Sequence, residues 1–213
     1  MRFVDRADAG RKLAPHLEFL RGSNPIVLGL PRGGVPVAHE VAKYLSAPLD
    51  VILVRKLGAP GHPEYAFGAI GEGGVRVLDP SAVRMLGILA ADADAVEARE
   101  RAELDRIARS FRADRPSASI EGRVAIIVDD GIATGATAKA ACQVARARRA
   151  ARVVVAAPVA PPDWQEGFHG LADDTVTAET PHPFLAVGQW YRDFSQTTES
   201  VVAALIDPQH PVR

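Results

Sequence analysis

The stretch from Val124 to Thr137 constrains this chain more than any other. Val124–Val128 is a run of five apolar residues, four of them β-branched, which suits a strand covered on both faces. Asp129 and Asp130 follow, then the small-residue turn Gly131, Ile132, Ala133, Thr134, Gly135, and a helical run from Ala136 towards Ala150. Strand, paired carboxylate, turn and helix come in succession, so the turn is a helix N-terminus. Its backbone N–H groups lack intrahelical partners, and the helix dipole adds partial positive charge there. An anion such as phosphate fits that spot.

The rest of the chain falls into place around this unit. Asp5 is the expected N-cap of a first helix reaching about Leu20, bent near Pro15, with Leu13, Leu17 and Leu20 on one side. Ile26–Leu30 reads as a buried strand running into Pro31-Arg32-Gly33-Gly34 and a helix from about Val35 to Leu45. A third strand is expected over Val51–Val54, with the cations Arg55 and Lys56 at its end. Strand, helix, strand alternation predicts an α/β fold with a parallel sheet and right-handed crossovers. Residues 57 to 74, rich in glycine and proline, read as a mobile or ligand-ordered loop with a β excursion at Phe67–Ile70. A short strand over Val75–Leu78, helix from Ser81 to Arg115 and a connector over Asp114–Glu121 lead back to the central strand. Beyond it the sequence predicts a strand at Arg152–Ala156, a short helix at Trp164–Leu171, an edge strand at Asp174–Ala178 and a last helix from Thr198 to Ile206. Arg146, Arg148 and Arg149 complement the dipole at a helix C-terminus.

Bulk properties exclude several classes. A chain of 213 residues with 47% hydrophobic and 24% charged residues suits one globular domain. A net charge of −1 and a pI near 6.6 argue against a nucleic-acid partner. No apolar run approaches the roughly 20 residues of a membrane span, and the N-terminal residues lack a signal peptide's apolar segment. A cytoplasmic location without membrane association is the expectation. Cys142, the single cysteine, reads as a small packed residue. The six histidines are scattered without metal-ligand spacing, so no side chain is assigned to a metal. Gly68 to Gly74 precedes a strand and not a helix, no glycine run ends in Gly-Lys-Ser/Thr, and Asp92-Ala93-Asp94 lacks the rest of a calcium loop.

Ligands of open parallel sheets bind at the carboxyl ends of the strands, beside a switch point. If the strands before Pro31 and Asp129 are neighbours, Gly33 and Gly34, the acid pair and the helix N-terminus line one crevice, with Arg55 and Lys56 across it. That arrangement describes a ligand with phosphates at both ends and hydroxyls between, since ionised carboxylates accept and do not donate.

Ile126-Ile127-Val128-Asp129-Asp130-Gly131-Ile132-Ala133-Thr134-Gly135-Ala136-Thr137 resembles the phosphoribosyl diphosphate (PRPP) binding motif of type I phosphoribosyltransferases. Pro31–Gly34 resembles that family's pyrophosphate loop, and residues 55 to 74 occupy the place of its flexible catalytic loop. The resemblance implies a parallel sheet core at about 20–160, a flexible loop and helical insertion at about 57–115, and a small hood at about 161–213, within one domain. It also implies that Asp129 and Asp130 bind the ribose hydroxyls, and that Ala133, Thr134, Gly135, Ala136 and Thr137 hold the 5-phosphate. Arg32, Gly33 and Gly34 would hold pyrophosphate with Mg2+, the metal being bound mainly through PRPP and pyrophosphate. Arg32, Arg55, Lys56 and Asp130 would be the catalytic set.

The implied activity is pentosyl transfer from PRPP to a small nitrogenous acceptor, a step of nucleoside metabolism, with PRPP and the acceptor as the partners. The alternative is a regulatory protein on the same fold that senses PRPP or a nucleotide without turnover. Dimers are usual in the family, so a homodimer is a further expectation. Ala133 stands where members acting on 6-oxopurines have an aspartate, which argues against hypoxanthine or guanine as acceptor. Trp190 and Tyr191 are candidate base-stacking residues, with core packing as the commoner role of such aromatics, and His62 reads as a surface loop residue.

Overall fold

The computed structural model of the chain describes residues 2–112 and 115–207. Ala113 and Asp114, where the expected helical insertion meets its connector, and residues 208–213 of the expected hood lie outside them. The chain opens with helix α1 (Arg6–Leu13), capped by the Asp5 carboxylate, which accepts a hydrogen bond from the Asp8 N–H. It then tightens into a 3-10 turn over Ala14–Leu20, where Pro15 has no N–H to continue the α ladder. Strand β1 (Pro25–Gly29), helix α2 (Gly34–Leu45) and strand β2 (Leu49–Val51) follow.

There the chain leaves the parallel sheet, one residue into the strand expected over Val51–Val54. Strands β3 (Val54–Ala59), β4 (His62–Gly71) and β5 (Arg76–Leu78) form a separate antiparallel sheet, so Arg55 and Lys56 lie within β3 and not at the end of a core strand. The run Val51-Ile52-Leu53-Val54 is uniformly apolar because both sheets are packed, and periodicity carries no mark of the division between them. The glycine- and proline-rich stretch read as a loop is largely the β3–β4 hairpin, irregular in register at Leu57–Ala59.

Helices α3 (Pro80–Met85) and α4 (Ala90–Arg112) lead to the central strand β6 (Val124–Val128). Helix α5 (Ala136–Ala147), strand β7 (Arg152–Val159), a 3-10 turn at Trp164–Phe168 and strand β8 (Asp174–Glu179) come next. A last 3-10 turn at Val187–Trp190 precedes helix α6 (Glu199–Ile206), which Thr198 caps through its side chain. The main sheet is parallel throughout, in the order β2-β1-β6-β7-β8. No helix among the described residues is long and apolar enough to cross a membrane.

The unbroken apolar strands are explained by burial on both faces. Ile26, Leu28, Ala125, Ile127, Val153 and Val155 pack with Ala138, Ala141, Cys142 and Val144 of α5. Their neighbours Val27, Ile126, Val128, Val154 and Ala156 pack with Leu13, Val37, Ala38 and Val41 of α1 and α2. A third cluster joins the small sheet to α4 and α6 through Leu57, Phe67, Ile70, Leu104, Phe111 and Val202.

Where these bodies meet, Arg112 is buried at the end of α4. Its Nε donates to Asp50 Oδ1 at 2.9 Å, its Nη2 donates to the Val51 carbonyl at 2.7 Å, and its Nη1 reaches Glu72. The second Asp50 oxygen accepts from the Ala118 N–H at 2.8 Å. Burial pushes the Glu72 carboxyl up despite Arg112. Truncating one member of such a joint strands the others, so Arg112→Leu is expected to lower the unfolding free energy by about 3–5 kcal/mol in urea titrations. The loss should be smaller in mild acid, where Glu72 takes up a proton; an unchanged midpoint contradicts the joint.

Candidate functional site

Strands β1 and β6 lie side by side with Gly29 opposite Val128, so the loop Pro31–Gly34 and the turn from Asp129 to Gly135 emerge together. Helix α2 leaves on one face of the sheet and α5 on the other, which opens a crevice between the two loops. The Pro31–Arg32 peptide is cis. The loops touch so closely that only glycine fits: a Cβ at Gly34 would stand 2.5 Å from the Val128 carbonyl oxygen, and one at Gly33 would overlap the Asp130 carboxylate.

The acid pair is short of cations. Asp129 Oδ1 accepts from the Asp130 N–H at 2.9 Å. Burial, and then the charge of Asp130, push the Asp129 carboxyl up to about 7. Burial raises Asp130 as well, against the opposing pull of Arg6, whose Nε donates to Asp130 Oδ2 at 2.8 Å. Arg6 is the first residue of α1 and carries no motif, so nothing in the sequence singles it out.

Tyr191 also touches this turn, from behind. It is buried, its ring centroid lies 5.3 Å from that of Phe3 and 5.0 Å from that of Phe194, and its hydroxyl donates to the Asp130 carbonyl. Tyr191 is therefore packing beneath the turn and offers no open face to a base. The strip around it pairs with the chain start, the Phe3 N–H donating to the Trp190 carbonyl and the Arg192 N–H to the Phe3 carbonyl, each at 2.8 Å.

On the other side of the turn, Gly135 is the N-cap of α5 with φ +70, a conformation that glycine adopts without strain. No side chain caps the helix. Thr134 Oγ1 accepts a long hydrogen bond from the Ala136 N–H at 3.5 Å, and Ala133, Thr134 and Thr137 are exposed around the first turn of α5.

Arg32, Arg55, Lys56 and Thr137 all line one cavity of about 660 Å3, whose far wall is Glu100, Glu103 and Ile107 of α4. Among the described residues Arg32 and Lys56 have no ion-pair partner, and both are exposed. Arg55 is held by Glu100, with Nε at 2.9 Å and Nη2 at 2.7 Å from Oε2. Glu100 sits in a helix whose alternating charge reads, in sequence, as a solvated face. Only the packing of α4 over β3 turns it inward.

The remaining candidates are bland. His62 is exposed beside Tyr65. Cys142 is buried, which pushes its thiol up to about 12 and makes it inert. Arg146 pairs with Asp173 and Arg149 with Glu121, while Arg148 donates to the Ala118 carbonyl. Among the described residues no group of three or more His, Cys, Asp and Glu is placed to hold a metal.

An anion-ready helix start, an acid pair and a glycine loop at the switch point of a parallel sheet are the marks of one family. Residues 5–166 match the model of the phosphoribosyl transferase domain, and the chain belongs to that family. The crystal structure of TT1426 from Thermus thermophilus is similar over 97% of this chain and 98% of that one, at 47% identity and a TM-score of 0.89. Two Mycobacterium tuberculosis proteins, from strains CDC 1551 / Oshkosh and ATCC 25618 / H37Rv, are each 58% identical over 208 residues and are named provisionally as phosphoribosyl transferases. The match takes in 98% of this chain and 47% of each of theirs, so the chain spans about half the length of these curated relatives.

The raised Asp129 carboxyl has a consequence for stability. Below about pH 4 the group is protonated whether the chain is folded or not; from there to about pH 7 the folded protein keeps a proton that the unfolded chain releases, so stability falls as pH rises. Asp129→Asn, which still accepts the Asp130 N–H, should unfold with about 1–3 kcal/mol more free energy than the wild type near pH 8. It should match the wild type near pH 4. Equal denaturation midpoints at the higher pH would refute an ionised, destabilising Asp129.

Proposed function

We propose that the chain transfers the 5-phosphoribosyl group of PRPP to a small nitrogenous acceptor and releases pyrophosphate. The observation that carries this reading is the contact of Gly33 and Gly34 with Asp130 and Asp129, because it makes an acid pair and an anion loop adjoining halves of one site. In this reading Asp129 and Asp130 accept hydrogen bonds from the ribose 2- and 3-hydroxyls. The uncapped start of α5, from Ala133 to Thr137, receives the 5-phosphate through its amides and the hydroxyls of Thr134 and Thr137. Arg32, with the amides of the Pro31–Gly34 loop, takes the diphosphate, and Lys56 and Arg55 reach it from β3.

The bond from the anomeric carbon to the diphosphate oxygen breaks as the bond to the acceptor nitrogen forms, and the acceptor gives up a proton. Positive charge builds on the ribose ring beside two carboxylates, and negative charge builds on the departing diphosphate beside three cations. Catalysis then consists of positioning and of stabilising charge where it develops. Arg55 must exchange Glu100 for the diphosphate to take part. Mg2+, an ion that usually arrives on phosphates, would further neutralise the diphosphate. The exposed methyl of Ala133 offers no acid to a 6-oxopurine, so the acceptor is sought among other bases, amines and ammonia.

Incubation with PRPP, Mg2+ and a panel of such acceptors should release pyrophosphate in an acceptor-dependent way. Lys56→Ala and Arg32→Ala should each lower kcat by about 10²–10³-fold, the usual cost of one charge-stabilising group. Saturable PRPP binding without release for any acceptor would instead identify a sensor.

A further inference from the structure

Arg6 is an odd residue to find where it is. It opens α1, and a cation in a helix's first turn is disfavoured by the dipole, so the local helix does not explain it. Its contacts lie elsewhere. Nε donates to Asp130 Oδ2 at 2.8 Å, Nη1 donates to the Ser195 carbonyl at 2.6 Å, and the guanidinium lies over the Phe194 ring at 4.1 Å from its centroid. The side chains of Arg6 and Asp130 are only 12% and 15% exposed, so solvent screens the pair little. The same Asp130 oxygen occupies the space where Gly33 would carry a side chain, and Arg6 Nε stands 3.2 Å from that point. One ion pair thus joins the start of α1, the glycine loop, the acid turn and the segment before α6.

Asp130 Oδ1 has no partner on any other described residue. With one oxygen gripped from outside the turn, the carboxylate presents the other in a single direction. A planar guanidinium suits this task, because its edge serves two acceptors set apart while its face stacks on a ring, which an ammonium does not reproduce. We propose that Arg6 is a positioning residue of the ribose site: it aims Asp130 at the sugar hydroxyls, and it does so only while Phe194 and Ser195 are docked against it. This rests on the reading that the acid pair takes the ribose of PRPP. Among the described residues, the ionisable and charged groups facing Asp130 are Arg6 from α1, Asp129 in its own turn and Tyr191 from the C-terminal segment, while the loop side presents Gly33. Arg6 is the one cation among them, so its loss leaves two buried carboxylates to share protons up to higher pH.

The test is calorimetric binding of PRPP and, separately, of inorganic pyrophosphate, both with Mg2+, from about pH 6 to about pH 9. Arg6→Gln should weaken PRPP about tenfold near pH 7 and leave pyrophosphate within about twofold, the difference expected for one charge-assisted contact to the ribose half alone. The midpoint of the pH dependence for PRPP should move upward. Arg6→Lys should recover part of the affinity, and Phe194→Leu, which loosens the stack and keeps the charge, should fall between. An Arg6→Gln protein that binds PRPP as tightly as the wild type with the same pH profile overturns the proposal, as does an equal loss of both ligands. If Arg6→Gln does not fold, Phe194→Leu decides by the same comparison. A wild type that binds pyrophosphate but not PRPP removes the ribose reading itself; a wild type that binds both, with variants unaffected, removes only the role of Arg6.

Discussion

The parallel pairing of β1 with β6 is the contact on which the rest depends. It runs from Pro25 opposite Val124 to Gly29 opposite Val128, and its end sets two loops into contact. Gly34 closes over the Val128 carbonyl and Gly33 over the Asp130 carboxylate, without room for a Cβ at either place. A slip of one residue would turn Ile26, Leu28, Ala125 and Ile127 to the wrong faces, so two buried faces hold the register more firmly than one would. The precision of the site is inherited from the core.

Charge is distributed unevenly around that contact. The acid pair has Arg6 as its close cation, and burial leaves Asp129 near 7. Across the loop, Arg32 and Lys56 stand without ion-pair partners among the described residues while Arg55 is held by Glu100. A ligand that brings hydroxyl donors to one side and phosphates to the other relieves both imbalances at once. Electrostatic cost is therefore concentrated where the proposed ligand would sit, in keeping with the pattern of perturbed ionisation at functional sites.

Much of the core was legible because its signals are local. Val124–Val128 reads as a strand, and Gly131–Gly135 as a turn into a helix, from residues adjacent in sequence; Asp5 and Thr198 are recognisable caps for the same reason. The passage from Val51 to Gly74 was harder. Ile52 and Leu53 are buried between two sheets, so the apolar run gives no sign that β2 ends at Val51 and β3 starts at Val54. Arg6, Glu100 and Arg112 were invisible for a different reason: each is an ordinary charged residue near or within a helix, and its partner lies 124, 45 or 62 positions away. Sequence spacing carries no information about such meetings.

By itself, then, the sequence determined the alternation of strand and helix, the anion-ready start of α5, the acid pair and the glycine loop, because propensity, capping and backbone freedom are properties of neighbouring residues. Tertiary structure alone decided which charges face one another. Arg6 over Asp130, Glu100 on Arg55 and Arg112 between Asp50 and Glu72 each exist because packed elements bring distant side chains within hydrogen-bond range, where low exposure makes a pairing worth more than it would be in water.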